Sequence, residues 1–186
     1  SLVGSEMCIR DRLYTNGDSF TYGSELEKQT SAWPVLLAKM IGYELVNDAQ
    51  PGASNDYIVR RTVEFCSQQK PDLVIIGWTT PDRIETGTQH CTHRTRPDIF
   101  HNWDTTCAKN KYNTQIKLLN EYLKMPHYFC TAWDAPIDSL CYIGRFVEWA
   151  YGTPHGPGGH PLEQGHERIA QEIAMRFRVA TCSSGS

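Results

Sequence analysis

At 186 residues, with 40% hydrophobic and 21% charged side chains, the chain is long enough for one domain with a full core and too apolar for a disordered segment. Its formal net charge of -3 offers no basic field for nucleic acid or an anionic membrane surface. The longest apolar runs, 73–77 and 35–38, fall far short of the ~20 residues that cross a bilayer.

The two ends stand apart. Residues 2–11 resemble translated sequencing-adapter sequence, which would imply a metagenomic gene fragment whose native frame begins near Arg12 or Leu13. Residues 1–11 are therefore set aside as a leader, 12–182 are expected to form one domain, and 183–186 read as a flexible tail. Cys8 lies in the leader; the other six cysteines show no CxxC spacing, which favours buried thiols and a reducing, cytoplasmic compartment over a disulfide framework.

In chain order, 13–16 is a short β-prone run halted by Gly17-Asp18-Ser19. A helix is predicted over 31–40, with Ser31 as cap, Pro34 in the first turn and Gly42 closing it. Residues 43–47 read as a second strand and 50–54 as the loop after it. Asn55 or Asp56 is expected to cap a helix reaching Gln68. Leu73-Val74-Ile75-Ile76-Gly77 is the clearest buried strand. Residues 78–108 have no sustained period and read as one long irregular excursion. A helix over 109–123, a strand over 128–132, a loop-rich stretch and a last helix over 162–177 complete the chain. Strands alternating with helices imply a parallel sheet covered on both faces, with ligands at its C-terminal edge. Gly17-Asp18-Ser19, Gly52-Ala53-Ser54-Asn55 and Gly77-Trp78-Thr79 all fall there.

A serine hydroxyl becomes a nucleophile when a neighbouring base takes its proton, and acyl transfer also needs donors for the oxyanion that forms. Gly-Asp-Ser alone is an ordinary turn signal. The longer run Asn16-Gly17-Asp18-Ser19-Phe20-Thr21-Tyr22-Gly23 resembles block I of the SGNH (GDSL-type) hydrolases, and further segments follow in that family's order. Gly52 in Gln50-Pro51-Gly52-Ala53-Ser54-Asn55 is similar to the block II glycine, 73–77 to the strand before block III, and His160-Pro161-Leu162-Glu163-Gln164-Gly165-His166 to block V. The block I opening with Trp78-Thr79 also resembles SGNH-like proteins of phage and marine bacterial genomes, whose substrates are generally unassigned.

The resemblance implies a three-layer α/β/α sandwich around a central parallel sheet, flavodoxin-like in outline, with Ser19 as nucleophile and His160 as its base. It implies a serine esterase acting on a small-molecule or carbohydrate ester, such as a sugar O-acetyl group, with no cofactor. A silent binding or virion-associated module of the same fold and a sugar O-acyltransferase are the alternatives. Gly52, Asn55, Thr79 and Asp18 are the residues expected around oxyanion and substrate. His166, inside the last helical pattern, is expected to pack or cap.

Two positions depart from the family pattern. Pro157 stands where an aspartate usually precedes the histidine by three residues, leaving a dyad, a backbone carbonyl or a distant carboxylate such as Asp134 or Asp138 to orient His160. Thr79 stands where block III usually supplies an asparagine to the oxyanion, with Asn55 as another donor. His90, Cys91, His93, His101 and Cys107 match no zinc spacing, so no metal is expected. Arg83, Arg94, Arg96 and Arg145 are candidates for an acidic substrate group, and Trp78, Trp103, Trp133 and Trp149 for an aromatic wall.

Overall fold

The computed structural model describes residues 11–86, 89–92, 96, 98, 104–133, 135 and 137–183. Strand β1 (Arg12–Gly17) runs into a one-turn helix, α1 (Ser19–Tyr22). After a 3₁₀ turn over Gln29–Ser31 come α2 (Trp33–Ile41), β2 (Glu44–Asn47), α3 (Asn55–Gln68) and β3 (Leu73–Trp78). A small antiparallel hairpin, β4 (Ile84–Thr86) with β5 (Gln89–Cys91), lies outside the main sheet. The chain continues through α4 (Thr105–Tyr122), β6 (His127–Thr131), β7 (Tyr142–Arg145), the short α5 (Phe146–Trp149) and α6 (Glu163–Ser183).

Five strands form one all-parallel sheet in the order β2-β1-β3-β6-β7. The alternation of side chains along each strand splits the core into two layers. Leu13, Leu73, Ile75 and Cys130 face Leu37 of α2 and Ile169 and Ile173 of α6. Tyr14, Val74, Ile76 and Phe129 face Ile58 of α3 and Ile116 and Leu119 of α4. The outcome is the expected α/β/α sandwich. Every residue of β3 is buried, which is why this strand reads as a continuous apolar run instead of an alternating one. Strand β1 also buries polar groups, and these are satisfied: Thr15 donates to Asn47, and the Asn16 amide donates to the Ile58 carbonyl.

Several boundaries differ from expectation. Ser31 belongs to the 3₁₀ turn; Ala32 is the N-cap of α2 and has no side chain to offer. The missing cap comes from far away, because the Trp33 N–H donates to His166 Nδ1 at 3.1 Å. Helix α3 begins at Asn55 because Ser54, in an extended conformation, accepts from the Tyr57 N–H and is itself the cap. Helix α4 starts four residues before the predicted 109, where the Asp104 carboxylate accepts from the Thr106 N–H. Strand β7 went unpredicted, and Ser183 ends α6 instead of opening a tail. Asp11 is tied to the sheet, its carbonyl accepting from the Glu44 N–H. The rest of the proposed leader, and 184–186, lie outside the described residues.

Candidate active site

Strand β1 ends at Gly17 against Gly77 of β3, and the chain turns at once into α1. The turn is tight because a side chain at Gly17 would collide with Thr21 and the Gly77 carbonyl. Asp18 caps α1 by accepting from the Phe20 N–H at 3.1 Å, which places Ser19 at the first helical position over the sheet's C-terminal edge. Ser19 is 9% exposed, so its hydroxyl is accessible on one side only.

The imidazole arrives from the other end of the chain. Residues 153–162 fold back on themselves: the Leu162 N–H donates to the Pro154 carbonyl, the Gly156 N–H to the His160 carbonyl, and His155 bridges to Pro161. This loop presents His160 Nε2 at 2.8 Å from Ser19 Oγ. The sequence expectation that these two groups meet is met by the geometry.

The partner of the other ring nitrogen was not among the candidates. His160 Nδ1 lies 2.7 Å from Glu25 Oε2, six residues after the serine. The same carboxylate accepts the Gly158 N–H at 2.7 Å and the His160 N–H at 3.1 Å. These donors, the Gly158 amide foremost, hold the Glu25 carboxyl below the usual glutamate range. A carboxylate can only accept, so Nδ1 carries the hydrogen and Nε2 is left to accept from the serine hydroxyl.

Two signs mark Glu25 as a constrained position. Its backbone sits at φ 70, and no other non-glycine residue among those described has a positive φ. The loop opposite also leaves it room: a side chain at Gly156 would come within 2.7 Å of the Glu25 carboxyl carbon. The glycine-rich stretch around Pro157 therefore leaves space for a carboxylate from elsewhere in the chain. Of the carboxylates considered from sequence, Asp138 lies against α4 beside Asn120 and Ser139, away from His160, and Asp134 is outside the described residues.

The floor of the site is a closed polar network. Asp18 is fully buried, and its Oδ2 accepts from Thr79 Oγ1 at 2.7 Å and from Arg83 Nη1 at 3.3 Å. Burial pushes this carboxyl up, against the pull of Arg83, Thr79 and the Phe20 amide. Asn55 accepts the Thr79 N–H at 3.1 Å and donates to the Thr79 and Thr80 carbonyls at 3.1 and 3.2 Å. The two side chains expected to donate to an oxyanion are engaged within the protein: the Thr79 hydroxyl with Asp18, and the Asn55 amide nitrogen with the Thr79 and Thr80 carbonyls. Asp18 likewise accepts within the protein and serves the turn. Gly52 holds φ 77 with nothing within 4 Å of where a side chain would be, so this glycine answers a backbone conformation, not a crowded site. The loop carrying it is pinned beside β1, where the Gln50 N–H donates to the Gly17 carbonyl at 3.1 Å.

The remaining candidates separate clearly. Trp78 is core and Trp149 packs on Phe146 and Arg176; Trp103 lies outside the described residues. Trp133 is 39% exposed and meets Phe20 edge-on, while Phe20 tilts against the His160 ring. Arg96 pairs with Asp98 and Arg145 with Glu148, and Arg94 is outside the described residues. His90 accepts from the Ser54 N–H and packs on Tyr57, and His93 and His101 lie outside the described residues. Among the described residues no group of three or more His, Cys, Asp or Glu side chains could hold a metal ion. His166 is buried against α2, and burial lowers its pKa to about 4.

No protein-family model matches the chain, and no curated protein matches it. The solved structures do. A protein from Desulfitobacterium hafniense DCB-2, described as lipolytic and of the G-D-S-L family, superposes with TM-score 0.63 at 13% identity, over 89% of this chain and 99% of that one. A family two carbohydrate esterase from Clostridium thermocellum, solved with cellohexaose, gives TM-score 0.63 at 16% identity, over 92% of this chain and 64% of that one. The psychrotrophic esterase EstA from Pseudoalteromonas sp., solved inhibited by monoethylphosphonate, gives 0.60 at 12% identity, over 92% and 98%. The chain has the SGNH-hydrolase fold.

Proposed function

We propose that this protein is a serine ester hydrolase in which Ser19 is the nucleophile, His160 the general base and then acid, and Glu25 the carboxylate that holds the imidazole. The observation that carries the reading is the unbroken line from Ser19 Oγ to His160 Nε2 at 2.8 Å and from His160 Nδ1 to Glu25 at 2.7 Å. A base within hydrogen-bond reach, itself oriented by a third group, is the arrangement that activates a hydroxyl.

In the first half-reaction Ser19 Oγ bonds to the ester carbonyl carbon while its proton passes to His160 Nε2, and the carbonyl π pair moves onto oxygen. Collapse returns that pair, breaks the bond to the alcohol, and His160 gives the alcohol its proton. Water then repeats the sequence on the acyl-enzyme, with His160 again as base. Glu25 remains ionised throughout and stabilises the imidazolium, a task suited to a carboxyl held below its ordinary range.

A small acyl ester is the substrate class, and a sugar O-acetyl group is the form we favour. Trp133, exposed one ring away from His160, supplies an aromatic face of the kind that receives a sugar or a short acyl chain. The carbohydrate esterases of the same fold point the same way. A silent binding module of the same fold would draw on the two departures at Pro157 and Thr79, and Glu25 answers the first of them.

A fluorophosphonate probe is expected to label the folded protein at Ser19, with labelling lost in Ser19→Ala and hydrolysis of p-nitrophenyl acetate lost with it. Folded wild-type protein that neither labels nor hydrolyses would overturn the reading.

A further inference from the structure

In the geometry just described, neither Thr79 nor Asn55 has a side-chain donor to spare for a developing oxyanion. An acyl-transfer site short of one such donor is typically ~10²–10³ slower. One cation is anchored where the gap falls. Arg83 Nη1 spans Asp18 Oδ2, under the serine turn, and the Ala53 carbonyl at 3.1 Å, next to Gly52. It thus ties together the two loops between which the resemblance places the oxyanion.

Both Nη1 hydrogens serve that anchor. Among the described residues, Arg83 Nε and Nη2 meet no acceptor, although the side chain is only 16% exposed. Neither nitrogen is among the fully buried unpaired atoms, so both are open to an incoming group, and a charged donor of this kind makes a strong hydrogen bond to a negative oxygen. Asp18 offsets the charge of Arg83 from below without using the rest of its fork.

Resting on the esterase reading above, we infer that Arg83 contacts the substrate's carbonyl oxygen and stabilises the oxyanion, supplying the side-chain donor that block III no longer provides. As the bond from Ser19 Oγ to carbon forms and the π pair moves to oxygen, Arg83 gives that oxygen an N–H hydrogen bond. It transfers no proton, and the contact relaxes when the pair returns.

The test is p-nitrophenyl acetate hydrolysis by wild type, Arg83→Met, Arg83→Lys, Asp18→Asn and the Asp18→Asn/Arg83→Met double variant. Arg83→Met is expected to lose ~10²–10³ in kcat with KM changed only a few-fold. Arg83→Lys keeps Asp18's counter-charge but lacks the fork, and is expected to lose roughly tenfold or more. Removing the buried carboxylate separates the two possible roles. If Arg83 acts on the oxygen, the double variant stays as slow as Arg83→Met; recovery to the Asp18→Asn rate would mean that Arg83 only balances Asp18, and the inference falls. The double variant and Arg83→Lys also carry the test should Arg83→Met misfold with its carboxylate unpaired. Arg83→Met within threefold of an active wild type overturns this inference alone, whereas a wild type without Ser19-dependent hydrolysis overturns it together with the esterase reading.

Discussion

The two sides of the site are built by opposite means. On the serine side, Asp18, Thr79 and Asn55 are buried and bond to one another's loops and strand ends, so Ser19 is held by the same packing that holds the sheet. On the histidine side, Glu25 and His160 are partly exposed, and they are held by one another, two amides and a run of glycines. The first side is an extension of the core, and the second is assembled on the surface. Damage to the buried supports Thr79 and Asn55 should therefore appear as lost stability, and damage to the exposed side as lost turnover in a protein that still folds.

The sharpest break is Glu25→Gln. The amide can turn its NH₂ towards Nδ1 and favour the wrong tautomer, so kcat should fall by up to ~10⁴, the figure for the same change in the serine-protease template. The midpoint of thermal unfolding should barely move; a large drop in that midpoint would blur the contrast between the two sides.

The next effect is one of pH and belongs to the buried side. His166 caps α2 as a neutral ring, its pKa pushed down by burial to about 4 from an ordinary 6.5. Between those values the unfolded chain binds a proton that the folded chain does not. Its contribution to stability is fully present above about pH 6.5 and is lost as pH falls towards 4, amounting to about 3 kcal/mol. Urea unfolding at pH 7 and pH 4.5 measures the slope. His166→Asn, whose side-chain oxygen can still accept from Trp33, should flatten it.

Gly156→Ala tests the surface assembly from the loop side. The new methyl would press on the Glu25 carboxyl carbon, and a displacement of about 1 Å there should lower kcat roughly 10²-fold with little change in melting temperature. Asn55→Ala is the smallest of the set. It strands the Thr79 N–H and two carbonyls, which costs about 1–2 kcal/mol of unfolding free energy in a urea titration, while KM for p-nitrophenyl acetate stays within a few-fold.

The same contrast explains what the sequence revealed. Strand β3 and the stripes of α3 and α6 were readable because burial imposes a period. The serine turn was readable because its signals are local, with Gly17, Asp18 and Ser19 adjacent. Strand β7 was not, since Tyr142-Ile143-Gly144-Arg145 is short, half-buried throughout and interrupted by a glycine at φ 139. Glu25 was invisible for a different reason: nothing in Ser24-Glu25-Leu26-Glu27 distinguishes it, and its partners lie 133 and 135 residues away. The one faint signal lies on the far side, in the glycines that flank Pro157, and only the structure shows that they make room for Glu25. The commitment of Thr79 and Asn55 to backbone partners is likewise a property of packing.

In the proposed triad, Ser19 and Glu25 sit six residues apart, and the imidazole alone comes from 141 residues beyond the serine. A growing polypeptide on the ribosome thus displays serine and glutamate long before it owns an imidazole to join them. On the proposed reading, reactivity waits until the closing loop has been synthesised and docked, and a product interrupted before it lacks its base however well its sheet has begun to form.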